Sequence, residues 1–144
     1  MRLLVVDDHP IIRKAVAGFL GSEPDVELVG EAADGKEAVE LACELNPDVI
    51  LMDINMPYMN GIDATRAIMA KRPAISIIGL STCERGDPSE RLMQQAGAVG
   101  YVCKTDMCEA LLPTLRASCY HRLDGGGPRH TIDSTAELCT SMCN

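Results

Sequence analysis

Five polar side chains stand directly after short apolar runs, and together they have the composition of a phosphoryl-transfer site. Leu3-Leu4-Val5-Val6 ends in Asp7-Asp8, Val49-Ile50-Leu51-Met52 ends in Asp53, Ile75 to Leu80 ends in Ser81, and Val99 to Cys103 ends in Lys104. If these runs are neighbouring strands of one sheet, three carboxylates, a hydroxyl and an ammonium converge on one edge. Three carboxylates held together repel by about 4 kcal/mol per pair at 4 Å and an effective dielectric of 20. A bound cation removes that cost. An all-oxygen ligand set selects a hard ion, Mg²⁺ before Mn²⁺. Lys104 suits a phosphoryl oxygen, and Ser81 offers a hydroxyl donor. Asp53, the central carboxylate, has the chemistry of an acyl-phosphate former. Transfer of a phosphoryl group to Asp53, with metal and lysine neutralising it, fits this set.

The elements that must position these residues are legible as alternating periods. The apolar runs above, with Val26 to Ala32, read as five strands. Helical spacing falls on Ile11 to Leu20, Gly35 to Leu45, Ile62 to Met69, Pro88 to Ala96 and Asp106 to Cys119. Pro10 suits a first helical turn, and Gly97 a helix end. Alternating strands and helices predict a doubly wound α/β fold, a five-stranded parallel sheet with helices on both faces. Ligands of such sheets bind at the carboxyl ends of the strands, where the five polar residues stand. After residue 119 the pattern stops. Residues 120–144 hold Gly125-Gly126-Gly127-Pro128 and many Ser and Thr, and are expected to be a flexible tail behind a domain spanning 1–119.

The chain has 144 residues, with 13 Lys+Arg against 21 Asp+Glu and a net charge of −8. That acidity argues against binding nucleic acid, which needs clustered Lys and Arg, and against an anionic membrane surface. No apolar run approaches the about 18 residues that span a bilayer. The start, Met1 to Val6, is broken by Asp7-Asp8 and does not read as a signal peptide. Seven cysteines occur at 43, 83, 103, 108, 119, 139 and 143, with no zinc-type spacing. Most sit in apolar runs, so free thiols in a reducing, cytoplasmic protein are expected.

Leu4-Val5-Val6-Asp7-Asp8-His9-Pro10, Asp53-Ile54-Asn55-Met56-Pro57-Tyr58-Met59-Asn60-Gly61, Leu80-Ser81 and Gly100-Tyr101-Val102-Cys103-Lys104 together resemble a response-regulator receiver domain. The Asp-His-Pro start and the Asn-Met-Pro-x-Met-Asn-Gly run resemble the NarL/LuxR-type branch. The resemblance implies a flavodoxin-like receiver fold with strand order 2-1-3-4-5. It also implies a two-component phosphorelay, in which Asp53 accepts a phosphoryl group from a histidine kinase or phosphotransfer protein. Asp8 and Asp53 would bind Mg²⁺ with the backbone carbonyl of Asn55, and Asp7 would act through a water. Ser81 and Lys104 would contact phosphoryl oxygens. Ser81 and Tyr101 would move together as the switch, and the fourth helix, fifth strand and fifth helix would form the output face. A phosphorylation-dependent homodimer would be compatible with this. The resemblance implies no enzyme: aspartyl phosphatases commonly carry Asp-x-Asp, whereas Asn55 stands at the second position and cannot do acid–base work. The alternative is a degenerate receiver that serves as a binding module.

Several residues depart from the family pattern or read more plainly. Thr82 follows Ser81 where a small residue is usual, and is expected to narrow access to Asp53. Cys83 occupies a position that tunes phosphoryl lifetime. Thr105 replaces a frequent proline, so the Lys104–Thr105 bond is expected to be trans. Pro113 sits mid-helix and is expected to bend the output face. His9 reads as a helix-start residue. The methionines at 52, 56, 59, 69 and 93 read as gap fillers. No helix-turn-helix pattern follows residue 119. The chain therefore reads either as a stand-alone receiver or as one cut from a larger regulator or hybrid kinase, whose output domain would bind DNA.

Overall fold

The computed structural model describes residues 1–84 and 87–123. Five parallel strands, β1 (Arg2–Val6), β2 (Glu27–Ala32), β3 (Val49–Asp53), β4 (Ser76–Ser81) and β5 (Gly100–Cys103), form one sheet in the order 2-1-3-4-5. Between them run α1 (Pro10–Leu20), α2 (Gly35–Leu45), α3 (Gly61–Lys71) and α4 (Ser89–Ala96), and α5 (Met107–Leu123) follows after a 3₁₀ turn at Lys104–Asp106.

Alternation along the strands builds two cores. Leu4, Val6, Ile50, Met52, Ile77 and Tyr101 pack with Ala38, Ala42, Ala64, Ile68 and Met93 of α2, α3 and α4. Leu3, Val5, Leu51, Ile78, Leu80 and Val102 pack with Val16, Leu20, Leu111 and Leu115 of α1 and α5. Successive side chains of a strand point to opposite faces, so both faces of a covered sheet require the unbroken apolar runs seen here. Met52 and Met93 are fully buried, and Met56, Met59 and Met69 pack at the margin of the first core.

Local signals place the helices. Pro10 opens α1, and the carboxyl of Asp34 accepts a hydrogen bond from the Glu37 amide at the start of α2. The Asn60 side chain caps α3 through the Asp63 amide. Gly97, with φ of 118°, ends α4.

Most expected boundaries hold to one or two residues. The last helix is longer than expected, because it runs on to Leu123 rather than stopping at Cys119, and it contains Pro113 as expected. Residues 124–144 of the expected tail lie outside the described residues. The described peptide bonds are all trans, Lys104–Thr105 included.

Register aligns the strand ends. Val6 lies beside Met52, Asp53 beside Leu80 and Ser81 beside Cys103, so the residues that follow β1, β3, β4 and β5 meet at one edge. Gly61 fixes the turn behind Asp53. Its amide donates to the Ile54 carbonyl at 2.8 Å, and a Cβ there would overlap the Asp53 backbone carbonyl. Gly61→Ala is therefore expected to lower stability by about 2–3 kcal/mol, as overpacking against unyielding backbone does. Urea denaturation checks this, and an unchanged midpoint would show that the loop gives way freely.

Candidate functional site

The edge collects Asp7, Asp8, Asp53, Ser81 and Lys104 as the sequence implies. The last residue of β3, Asp53, is nearly buried, and Asp7, just past β1, is fully buried. The side chain of Asp8 keeps 28% of its surface exposed. Lys104 Nζ lies 3.1 Å from Asp7 Oδ2 and 3.2 Å from Asp53 Oδ1. The Ile54 amide donates to the same Asp53 Oδ1 at 2.9 Å. Arg13 of α1 donates to the backbone carbonyl of Asp7. Asn55 follows β3 in the bend and is exposed.

The charges do not balance. Three carboxylates face one ammonium at ion-pair distance, and the imidazole of His9 also stands among them. Its Nδ1 lies 3.1 Å from Asp7 Oδ1 and 3.1 Å from Asp8 Oδ1. Among the described residues, Asp7 Oδ2, Asp8 Oδ1 and Asp53 Oδ2 are buried without a directed hydrogen bond. The first two oxygens sit at ion-pair distance from Lys104 and His9. Burial, and then the charge of Asp7, push the Asp53 carboxyl up to about 6, against the pull of Lys104. Burial works to lower the Lys104 ammonium, but Asp53 and Asp7 outweigh it and hold its pKa above the ordinary value. One ligand atom from each of Asp7, Asp8, His9 and Asp53 lies within 4.8 Å of all the others. Hard oxygens in excess of positive charge, with lone pairs unspent, fit a divalent cation of the Mg²⁺ type.

Ser81 and Tyr101 lie on adjacent strands, both buried. Burial raises the Tyr101 pKa, and the nearby Ser81 hydroxyl works against that rise. Tyr101 lies over Gly79 of β4, where a Cβ would press on its ring. The tyrosine thus occupies an inward position, reached because β4 has no side chain there.

Two features escaped the sequence reading. His9 heads α1, as expected, but its ring also belongs to the acidic cluster. The expectation of free thiols throughout is corrected at Cys83 and Cys103, which are joined in a disulfide, while Cys43 and Cys108 are free. The pairing arises because β4 and β5 are neighbours, so Cys103 at the end of β5 lies beside Ser81 and within reach of Cys83. The signal was in the sequence: Cys83 stands two residues after Ser81, and Cys103 directly before Lys104. No helix among the described residues is long and apolar enough to cross a membrane.

Comparison with known proteins gives the same site a family. Residues 3–116 match the model of the response regulator receiver domain. The chain is 42% identical over 118 residues to the transcriptional regulatory protein LiaR of Bacillus subtilis, covering 82% of this chain and 56% of that protein. It is 43% identical over 106 residues to a protein-glutamate methylesterase/protein-glutamine glutaminase of Carboxydothermus hydrogenoformans, covering 74% of this chain and 30% of that protein. Its fold superposes with a TM-score of 0.80, at 30% identity, on a LuxR-family two-component response regulator from Aurantimonas, covering 99% of this chain and 94% of that one. The chain spans about half the length of LiaR, and relatives of both regulator and enzyme type share it as a part. Strand order, acidic edge and sequence agree, and the chain belongs to the response regulator receiver domain family, in its NarL/LuxR-type branch.

Proposed function

We propose that this receiver, residues 1–119, is phosphorylated on Asp53 by a histidine kinase or phosphotransfer protein and relays a two-component signal in the cytoplasm. The observation that supports this best is the division of labour on one carboxylate. Asp53 Oδ1 is held by the Ile54 amide and Lys104, while Oδ2 is buried with no hydrogen-bond partner. Oδ2 is thus the oxygen free to attack. In the proposed step it bonds to the phosphorus of a phosphohistidine, the P–N bond breaks, and the leaving imidazole takes up a proton. Lys104 pairs with a phosphoryl oxygen, and Ser81 donates its hydroxyl to another. Asp8, Asp53 and the carbonyl of Asn55 would hold Mg²⁺, with Asp7 acting through a water. Bound there, the cation supplies the positive charge that the three carboxylates and the phosphoryl oxygens lack.

Ser81 and Tyr101, buried on adjacent strands, then carry the change to α4, β5 and α5. The charge balance supports a protein partner for this chain rather than nucleic acid. A DNA-binding output would belong to a longer parent protein, and phosphorylation would favour a homodimer. The chain itself is read as a non-enzyme.

Three measurements test the reading. Incubation with acetyl phosphate and Mg²⁺ is expected to add one phosphoryl group, seen by intact mass, and Asp53→Asn is expected to take up none. A wild-type chain that takes up none overturns the proposal in favour of a binding module.

Mg²⁺ at ten times its dissociation constant is expected to stabilise the fold by about 1.4 kcal/mol, and Asp8→Ala to abolish that gain. Melting curves with and without the ion check both.

For metal-free protein, Asp53 titrates at about 6 when folded and near 3.8 when unfolded. A raised pKa adds stability below the unfolded value, and that stability is lost as pH rises through the folded one. Asp53→Asn is therefore expected to be more stable than wild type at pH 7.5, by about 1–3 kcal/mol. The difference is expected to shrink at pH 5, as read by urea denaturation at both values.

A further inference from the structure

The disulfide lies on the acidic edge. Cys83 and Cys103 are bonded with Cα atoms 5.4 Å apart, at a sequence separation of 20. That distance is ordinary for a disulfide. Each cysteine stands close in sequence to a residue of the proposed phosphoryl site. Cys103 is bonded in sequence to Lys104. The Cys83 amide faces Ser81 Oγ at 3.5 Å, and Cys83 holds a left-handed φ of 59°. Both cysteines are partly exposed, so small molecules reach them. The covalent loop they close contains the whole of α4.

We propose that Cys83 and Cys103 form a reversible dithiol–disulfide pair which, when closed, clamps the end of β4 to β5 and slows phosphoryl uptake at Asp53. The oxidant is a low-molecular-weight disulfide. One cysteine thiolate attacks a sulfur of that disulfide and releases one small thiol. The second cysteine then attacks the mixed disulfide, releases the other small thiol and closes the Cys83–Cys103 bond. Two protein thiols are oxidised, and one small disulfide is reduced to two thiols, which carry the two protons. A dithiol reductant reverses the exchange.

Closing the bond ties Ser81 and Lys104 to a single relative placement through their neighbours Cys83 and Cys103. Both side chains must contact oxygens of an incoming phosphoryl group that the resting site does not hold. Opening the bond frees the segment after β4 to adjust. The clamp is a claim about this segment. Its effect on rate rests on the reading of Asp53 as phosphoacceptor.

The test uses the full chain, fully reduced or treated with oxidised glutathione. Peptide mapping without reductant is expected to find a Cys83–Cys103 link in the treated protein that dithiothreitol removes. Mapping that finds only glutathione adducts, or links between other cysteines, overturns the proposal. Amide exchange across Ser81–Cys83 is expected to slow in the linked form, and unchanged exchange overturns the clamp. Phosphoryl uptake from acetyl phosphate is expected to be about tenfold slower in the linked form, since a misplacement of about 1 Å can cost 100-fold. Cys103→Ser is expected to take up the phosphoryl group at the same rate with and without oxidised glutathione. Equal rates in the linked and reduced wild type overturn the regulatory role. If the reduced protein takes up no phosphoryl group, the reading of Asp53 fails, while mapping and exchange still decide the pair and its clamp.

Discussion

The structure depends on a mismatch of charge at one end of a sheet. Parallel strands end with their carbonyls and terminal side chains at a common edge, and here that edge receives three carboxylates against a single ammonium. Like charges within 4.8 Å of one another in a partly dry site repel by several kcal/mol. The fold tolerates this because its stability is made elsewhere, in the two apolar layers on either side of the sheet. The site is therefore costly to the resting protein and ready for anything that brings positive charge or consumes a carboxylate. The raised pKa of Asp53 expresses that state, and burial contributes to it more than Asp7 does.

Close backbone approach is what allows such crowding. Gly61 lets the start of α3 press against the Asp53 carbonyl, so the end of β3 is braced from behind. Gly79 clears the space that the Tyr101 ring occupies over β4. A side chain at either position would push these elements apart.

Much of this was legible in the sequence because each signal was local. Continuous runs such as Val49–Met52 admit only a strand buried on both faces. The acids at their ends followed from strand direction, and order 2-1-3-4-5 then brought them together. The unread parts depend on relations between elements. His9 carries a local signal for a helix start, and only the fold reveals that its ring leans on Asp7 and Asp8. The end of α5 was unread as well, since the helix runs to Leu123, past the Cys119 expected from the pattern. Cysteine in an apolar run is usually a small hydrophobe, and that prior hid a pair set by the adjacency of β4 and β5.

The disulfide and the buried side chains of Ser81 and Tyr101 lie at the same end of the same two strands. The covalent link resists relative movement of β4 and β5 there, while Tyr101 fills the space that Gly79 leaves open over β4. One short segment between Asp53 and α4 is thus held from two sides. On the proposed reading, its freedom is set by the chemistry of two sulfur atoms, whereas its driving force is the charge at Asp53.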